Sequence, residues 1–231
     1  VSARPRARLR GAPLERPRDP DAPVERPAAL AYAVAEFLDA LGLPAEVRGS
    51  GELAGTPARV AQAWLEELLD GYGTEPAAVL AQASESEARA LVALTGIEYH
   101  SVCPHHLLPS RGVAHVGYLP GGKLVGFGQL VQLVDGLAHR LVLQEDLAQQ
   151  IAAALVEHLG ARGAGCVLEA EHLCLTVRGE RRTQARAHAE GWAGVMAREP
   201  SARSGLLAAL ERADRRRARP GARARGRGKR R

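Results

Sequence analysis

The spacing of apolar residues changes period along this chain, and the order of those changes leaves few folds open. Across residues 28–43, Leu30, Val34, Phe37, Leu38 and Leu41 recur at helical spacing, and Gly42 and Pro44 stop the run. A second helix is predicted from Thr56, a natural N-cap, with Pro57 at the first helical position. Val60, Ala63, Trp64, Leu68 and Leu69 form its apolar face, and Gly71 and Gly73 end it. The period then shortens. Residues 91–100 and 112–119 are rich in β-formers, and Gly121-Gly122 makes a turn before a further extended piece at 123–127. Helical spacing returns over 130–159 as two helices. The second opens with Glu145 and Asp146, where the helix dipole favours acids, and lines one face with Ile151, Leu155 and Leu159. Residues 166–177 read as a strand and 184–190 as a weaker one. Two helices followed by ββααββ predict an α+β fold, an antiparallel sheet with helices on one face.

Composition narrows the class further. With 231 residues and 46% hydrophobic content, the chain can bury a sizeable core. No apolar run approaches the roughly 18–20 residues of a membrane span, which excludes a transmembrane helix. The Arg/Pro-rich start has no apolar h-region, so no secretory signal is expected. Three cysteines cannot all pair within the chain, which excludes a disulfide scaffold and makes a reduced, cytoplasmic setting the expectation. The net charge of +5 is unevenly spread: residues 1–27 carry +3 and residues 212–231 carry +10, leaving −8 for the rest. The expected organisation is therefore a disordered head (1–27), a folded domain (28–211, with N-terminal helices over 28–75 and a core over about 88–200) and a disordered basic tail (212–231). The tail could tether a polyanion, but no aromatic residue is interleaved for base stacking, so a solvated tail with at most weak nucleic-acid binding is expected.

The chemistry concentrates in two short blocks. The loop after the first predicted strand reads Cys103-Pro104-His105-His106, and a Cys and a His three apart can share a metal ion. Two ligands are too few, and Cys174, in His172-Leu173-Cys174-Leu175-Thr176-Val177-Arg178-Gly179, is the candidate third. If that segment is a strand, His172, Cys174 and Arg178 share one face. Three protein ligands leave a position open for water, the pattern of a catalytic rather than a structural zinc. Cys166 reads as a small core hydrophobe.

These blocks, in this order, resemble the GTP cyclohydrolase I family of tunnelling-fold (T-fold) enzymes. The likeness spans residues 51–210. The family's Cys-Glu-His-His loop is matched by Cys103-Pro104-His105-His106, and its His-x-Cys followed by Arg-Gly by His172-Leu173-Cys174 and Arg178-Gly179. Its Thr-Pro-x-Arg is matched by Thr56 to Arg59, and its Ala-x-Arg followed by Gln-Glu by Ala138, Arg140, Gln144 and Glu145. The resemblance implies that Cys103, His106 and Cys174 hold zinc and that His105 and His172 carry protons. It also implies that Gln144 and Glu145 read the guanine edge, that Arg178 contacts the phosphates, and that Arg59 and Arg140 are further substrate contacts. The implied reaction is hydrolytic opening of the imidazole ring of GTP at C8, with loss of formate and closure to 7,8-dihydroneopterin triphosphate. A carboxylate such as Glu145 can accept from guanine N1–H and the 2-amino group together, which adenine does not offer. Without the resemblance, Glu145 would read as an acid favoured by the helix dipole. The resemblance further implies a homo-oligomeric ring or barrel with sites at subunit boundaries, and an open sheet with two unpaired edges gives a physical motive for it.

The departures from the family cluster around the phosphates. The pattern Gly-Leu-Ser-Lys-Leu-x-Arg is here Gly126-Phe127-Gly128-Gln129-Leu130-Val131-Gln132, so a Ser, a Lys and an Arg are replaced. A loop Glu is Pro104, a Gln is Val142, and a late Thr-x-Thr is Ala187-His188-Ala189. Each charge-assisted contact is worth roughly 1.5–3 kcal/mol. Arg59, Arg140, Arg181, Arg182 and Arg186 are the candidate replacements. Three readings follow: a GTP cyclohydrolase I with rebuilt phosphate contacts, a T-fold zinc hydrolase of a less phosphorylated purine or pterin, and a catalytically silent relative serving as a binding or assembly partner. The retained Cys, His and Glu set favours an enzyme.

Overall fold

The computed structural model describes residues 25–218, in two compact units that divide between Leu69 and Asp70. The head before residue 25 and the tail after residue 218 lie outside the described residues.

The first unit is helical. Helix α1 (Arg26–Ala40) opens behind Pro27, and Gly42 with φ of 63° turns the chain out of it. Helix α2 (Thr56–Ala63) opens with Pro57 in its first turn and widens into a π-helical turn, Trp64–Leu68. The two pack against each other, and Ala31 of α1 and Ala61 of α2 are buried. Thr56 does not cap α2 with its side chain: Gly55 holds the N-cap position. Thr56 Oγ instead donates to the Glu52 carbonyl (3.4 Å) and accepts from Arg59 (2.9 Å), whose guanidinium also reaches the Glu52 carbonyl (2.8 Å).

The second unit carries the predicted ββααββ order. After the short helix α3 (Pro76–Leu80) come β1 (Val92–Val102), β2 (Pro109–Leu119), α4 (Phe127–Ala138), α5 (Gln144–Glu157), β3 (Gly163–His172) and β4 (Ala187–Gly194). The four strands lie in the order β1-β2-β3-β4, every pair antiparallel. Alternation decides what faces the helices. Ile97 and Tyr99 of β1, Ala114, Val116 and Tyr118 of β2, Ala164, Cys166 and Leu168 of β3, and Ala189 of β4 are buried. They meet Leu130, Leu133 and Val134 of α4 and Leu147, Ile151 and Leu155 of α5 in one core. Cys166 is part of that core, and burial pushes its thiol well above the usual range.

Three expectations change. The piece at 123–127 is not a core strand: Lys123 and Leu124 pair with Glu85 and Ser84, and α4 begins at Phe127. The strand expected over 166–177 ends at His172, and Leu173–Thr176 form a helical turn, α6. Register explains this. Ser110 pairs with His172, and the one β2 residue left beyond it is Pro109, which has no N–H to donate to a ladder. The third change is at the C-terminus, where helix α7 (Ser204–Ala218) takes in the first seven residues of the expected tail. Its Ala-, Leu- and Arg-rich sequence favours helix, and an Arg215–Glu211 pair (3.3 Å) adds i,i+4 support. Helix α7 also covers part of the second sheet face, where Leu206 fills the space over Gly117 and, beside the Trp192 ring, part of that over Gly165. Among the described residues no helix is long and apolar enough to cross a membrane.

Arg140, just past α4, ties that helix to the chain before α3. Its Nε donates to the carbonyls of Gly136 (2.9 Å) and Gly71 (3.1 Å), and its Nη2 to that of Thr74 (2.6 Å). Such a fork consumes a guanidinium, and Lys cannot reproduce it. Arg140→Lys is expected to destabilise the fold by about 2 kcal/mol, read as a lowered denaturant midpoint with unchanged slope.

Candidate metal centre and active site

Strands β1 and β2 deliver the first two ligand candidates. Buried Ser101 and Ser110, 2.8 Å apart at Oγ, join the strands at the base of the connecting loop. The loop is then held by Cys103 N–H to the Leu108 carbonyl (3.0 Å) and by Leu107 N–H to the Cys103 carbonyl (2.9 Å). Leu107 takes φ of 53°, strained for a leucine, and such strain concentrates at functional sites. This turn brings Cys103 Sγ to 3.9 Å from His106 Nδ1 and 4.0 Å from His105 Nδ1.

The third candidate arrives from α6 rather than from a strand face. Cys103, His106 and Cys174 place their ligand atoms within 4.8 Å of one another, the one such group among the described residues. His172, Cys174 and Arg178 therefore do not share a strand face, yet the helical turn still brings Cys174 to the loop. The donor chemistry fits a metal. The Cys174 thiol is pushed up by burial and by neighbouring Cys103, with the Arg178 charge opposing. Two adjacent thiolates repel, and a dication between them removes that penalty.

His172 closes β3 beside this group. Burial lowers its pKa, and the Glu145 carboxylate opposes that shift. Its Nε2 lies 2.6 Å from Gln144 Oε1. Gln144 is 7% exposed, and its Nε2 donates to the carbonyls of Leu168 and Ala187, each at 3.1 Å. Glu145, the next residue, is exposed in the first turn of α5. Cys103, His105, His106, His172, Cys174, Gln144, Glu145 and Arg178 thus belong to one neighbourhood built from the β1–β2 loop, the β3–α6 junction and the start of α5.

The sequence profile of the GTP cyclohydrolase I family matches residues 30–211. The chain belongs to the GTP cyclohydrolase I family. It is 44% identical over 200 residues to the Chromobacterium violaceum protein named GTP cyclohydrolase 1, covering 87% of this chain and 93% of that one. It is 41% identical over 179 residues to the Ralstonia nicotianae protein of the same name, covering 78% and 84% respectively. Among solved structures, an archaeosine synthase QueF-like protein overlays with a TM-score of 0.39 and 18% identity, covering 47% of this chain and 97% of that one. The antiparallel sheet with its helices is the T-fold of the GTP cyclohydrolase I family.

Gln129 and Gln132 stand where the resemblance leads to the expectation of phosphate-binding cations. Gln129 donates to Gln82 (3.2 Å). Gln132 lines a depression shared with Asp70, Glu75 and Asp135, and burial raises the Asp135 carboxyl despite nearby His139 and His100. Asp70 in turn holds His139 Nδ1 at 2.7 Å, and the His139 ring stacks on His100 with centroids 4.0 Å apart. This acidic surrounding disfavours a phosphate at Gln132. Of the candidate replacement cations, Arg140 is committed to carbonyls, Arg186 lies 3.8 Å from Glu171 and Arg182 3.8 Å from Glu180. Arg178 and Arg181 are exposed in the turn after α6, which Gly179 and Arg181 shape with φ of 55° and 50°. Sequence reasoning missed the His139–Asp70 pair and the Arg140 fork. Asp70 lies 69 residues from His139, and two of the three Arg140 carbonyls, those of Gly71 and Thr74, lie 69 and 66 residues away, beyond any local signal.

Proposed function

We propose that this chain is a zinc-dependent GTP cyclohydrolase I, opening the guanine imidazole ring of GTP at C8, releasing formate and giving 7,8-dihydroneopterin triphosphate. The observation that carries this reading is the convergence of Cys103, His106 and Cys174 beside His172 in a member of that family. Cys103, His106 and Cys174 would hold the zinc, whose tetrahedral preference and affinity for thiolate and imidazole match the set. Zinc, when bound, supplies Lewis acidity that makes a water nucleophilic near neutral pH.

The remaining work falls to the chain. His105 and His172 are the proton carriers to and from the purine ring nitrogens. Glu145 accepts from guanine N1–H and the 2-amino group. Arg178 meets the triphosphate. The order β1-β2-β3-β4 gives β1 and β4 one strand neighbour each among the described residues, which supports assembly through sheet edges into a homo-oligomer. Ligand thiols need a reducing setting, which supports a cytoplasmic location.

The test is to incubate the zinc-loaded protein with GTP, GMP and guanosine and to quantify formate and oxidised, fluorescent pterin. GTP turnover with matching formate and pterin is expected. Formate from guanosine in preference to GTP would overturn the substrate, and no formate from any of the three with zinc bound would overturn ring opening. Glu145→Gln is expected to lower kcat/KM for GTP by about 10²-fold or more, because an amide presents a donor where guanine also donates.

A further inference from the structure

We infer that Gln144 is a positioning residue that fixes which nitrogen of His172 meets the substrate, rather than a reader of the guanine edge. This inference rests on the ring-opening reading for its kinetic consequence, but its geometry stands on hydrogen-bond accounting alone. The Gln144 side chain faces two backbone carbonyl oxygens, those of Leu168 in β3 and Ala187 just at the start of β4, each at 3.1 Å. A carbonyl can only accept, so the amide nitrogen must face both, and its two hydrogens are spent there. The amide oxygen is left to face His172 Nε2 at 2.6 Å. An amide oxygen can also only accept, so Nε2 must carry a proton. The two carbonyls thereby decide an amide orientation that an amide on its own leaves ambiguous.

Two consequences follow. Neutral His172 is the Nε2–H tautomer, and Nδ1 is the nitrogen left to exchange a proton with the purine. Gln144, 7% exposed and with both hydrogens committed, has no donor left to offer a base. Discrimination for guanine then rests on neighbouring Glu145, and Gln144 holds the imidazole in a frame made by α5, β3 and β4.

The experiment uses the zinc-loaded protein and Gln144→Met, which keeps side-chain length but makes no hydrogen bond to His172. Kinetics with GTP and with inosine triphosphate, which lacks the 2-amino group, separate orientation from base reading. Nitrogen-15 NMR of histidine-labelled protein, with the signal assigned through His172→Gln, reads the tautomer directly. For Gln144→Met, kcat is expected to fall about 10²-fold, KM for GTP to stay within about threefold, and the GTP-to-inosine-triphosphate preference to stay unchanged. The wild-type His172 signal is expected to be that of the Nε2–H form. A raised KM with a collapsed preference would overturn the inference in favour of base reading, and an Nδ1–H signal in the wild-type protein would overturn it whether or not the variant folds. If the wild-type protein releases no formate from GTP, the ring-opening reading falls separately, and the tautomer signal still decides the role of Gln144.

Discussion

Cys174→Ala is expected to reduce formate release from GTP by at least about 10³-fold while leaving the fold intact. A factor of 10³ corresponds to about 4.1 kcal/mol of transition-state stabilisation, within the several kcal/mol a metal supplies. Cys174 is half-buried on the short turn α6, outside the main core cluster. Truncating it removes one of three ligand atoms that converge within 4.8 Å but no packed core side chain. Zinc per chain, measured on the desalted protein, should fall with the activity, while the thermal midpoint of the metal-free forms should barely differ. Retention of activity with the metal lost would place the chemistry elsewhere.

The second large effect concerns stability. Gly191→Ala is expected to cost about 3 kcal/mol or more, because a Cβ at that position overlaps the backbone of Ala148 and Gln149 in α5. Backbone cannot swing aside as a side chain end can, so α5 must lift from β4. That contact is clamped on both sides of the Gln149 amide, which donates to the Trp192 carbonyl (3.3 Å) and accepts from Trp192 N–H (3.2 Å). The effect should reach the site, since α5 begins at Gln144 and through it holds His172. At about 2–4 °C per kcal/mol for a domain of this size, calorimetry should show the transition lowered by about 6–12 °C. A midpoint within about 1 °C of wild type would mean that α5 and β4 are less closely opposed than described.

Much of this architecture is readable from residue periods. The alternation in β1 and β2 and the helical spacing from Leu130 to Leu159 carry the ββααββ order, and the core residues they nominate, Leu130, Ile151 and Leu155 among them, are fully buried. The segment after His172 shows where such reading stops. Leu173 to Val177 is as β-prone as a strand, but a strand needs a neighbour, and β2 has no residue left to pair beyond Pro109. The metal group was legible through motif spacing even though the assumed strand geometry was wrong, because three residues can converge from a turn as well as from a face. Gln144 and Arg140 were legible as members of the site's motifs but not in their roles. Each is decided by backbone carbonyls far away in sequence, and a carbonyl leaves no trace in residue type.

The most direct test of the whole account is to measure zinc per chain and formate from GTP in the same samples, as the metal is stripped with a chelator and added back. The account predicts that formate release rises in proportion to bound zinc, levels off at one zinc per chain, disappears on stripping and returns on restoration, with Cys174→Ala flat throughout. Undiminished formate release from metal-free protein, or none from protein carrying one zinc per chain, would contradict it.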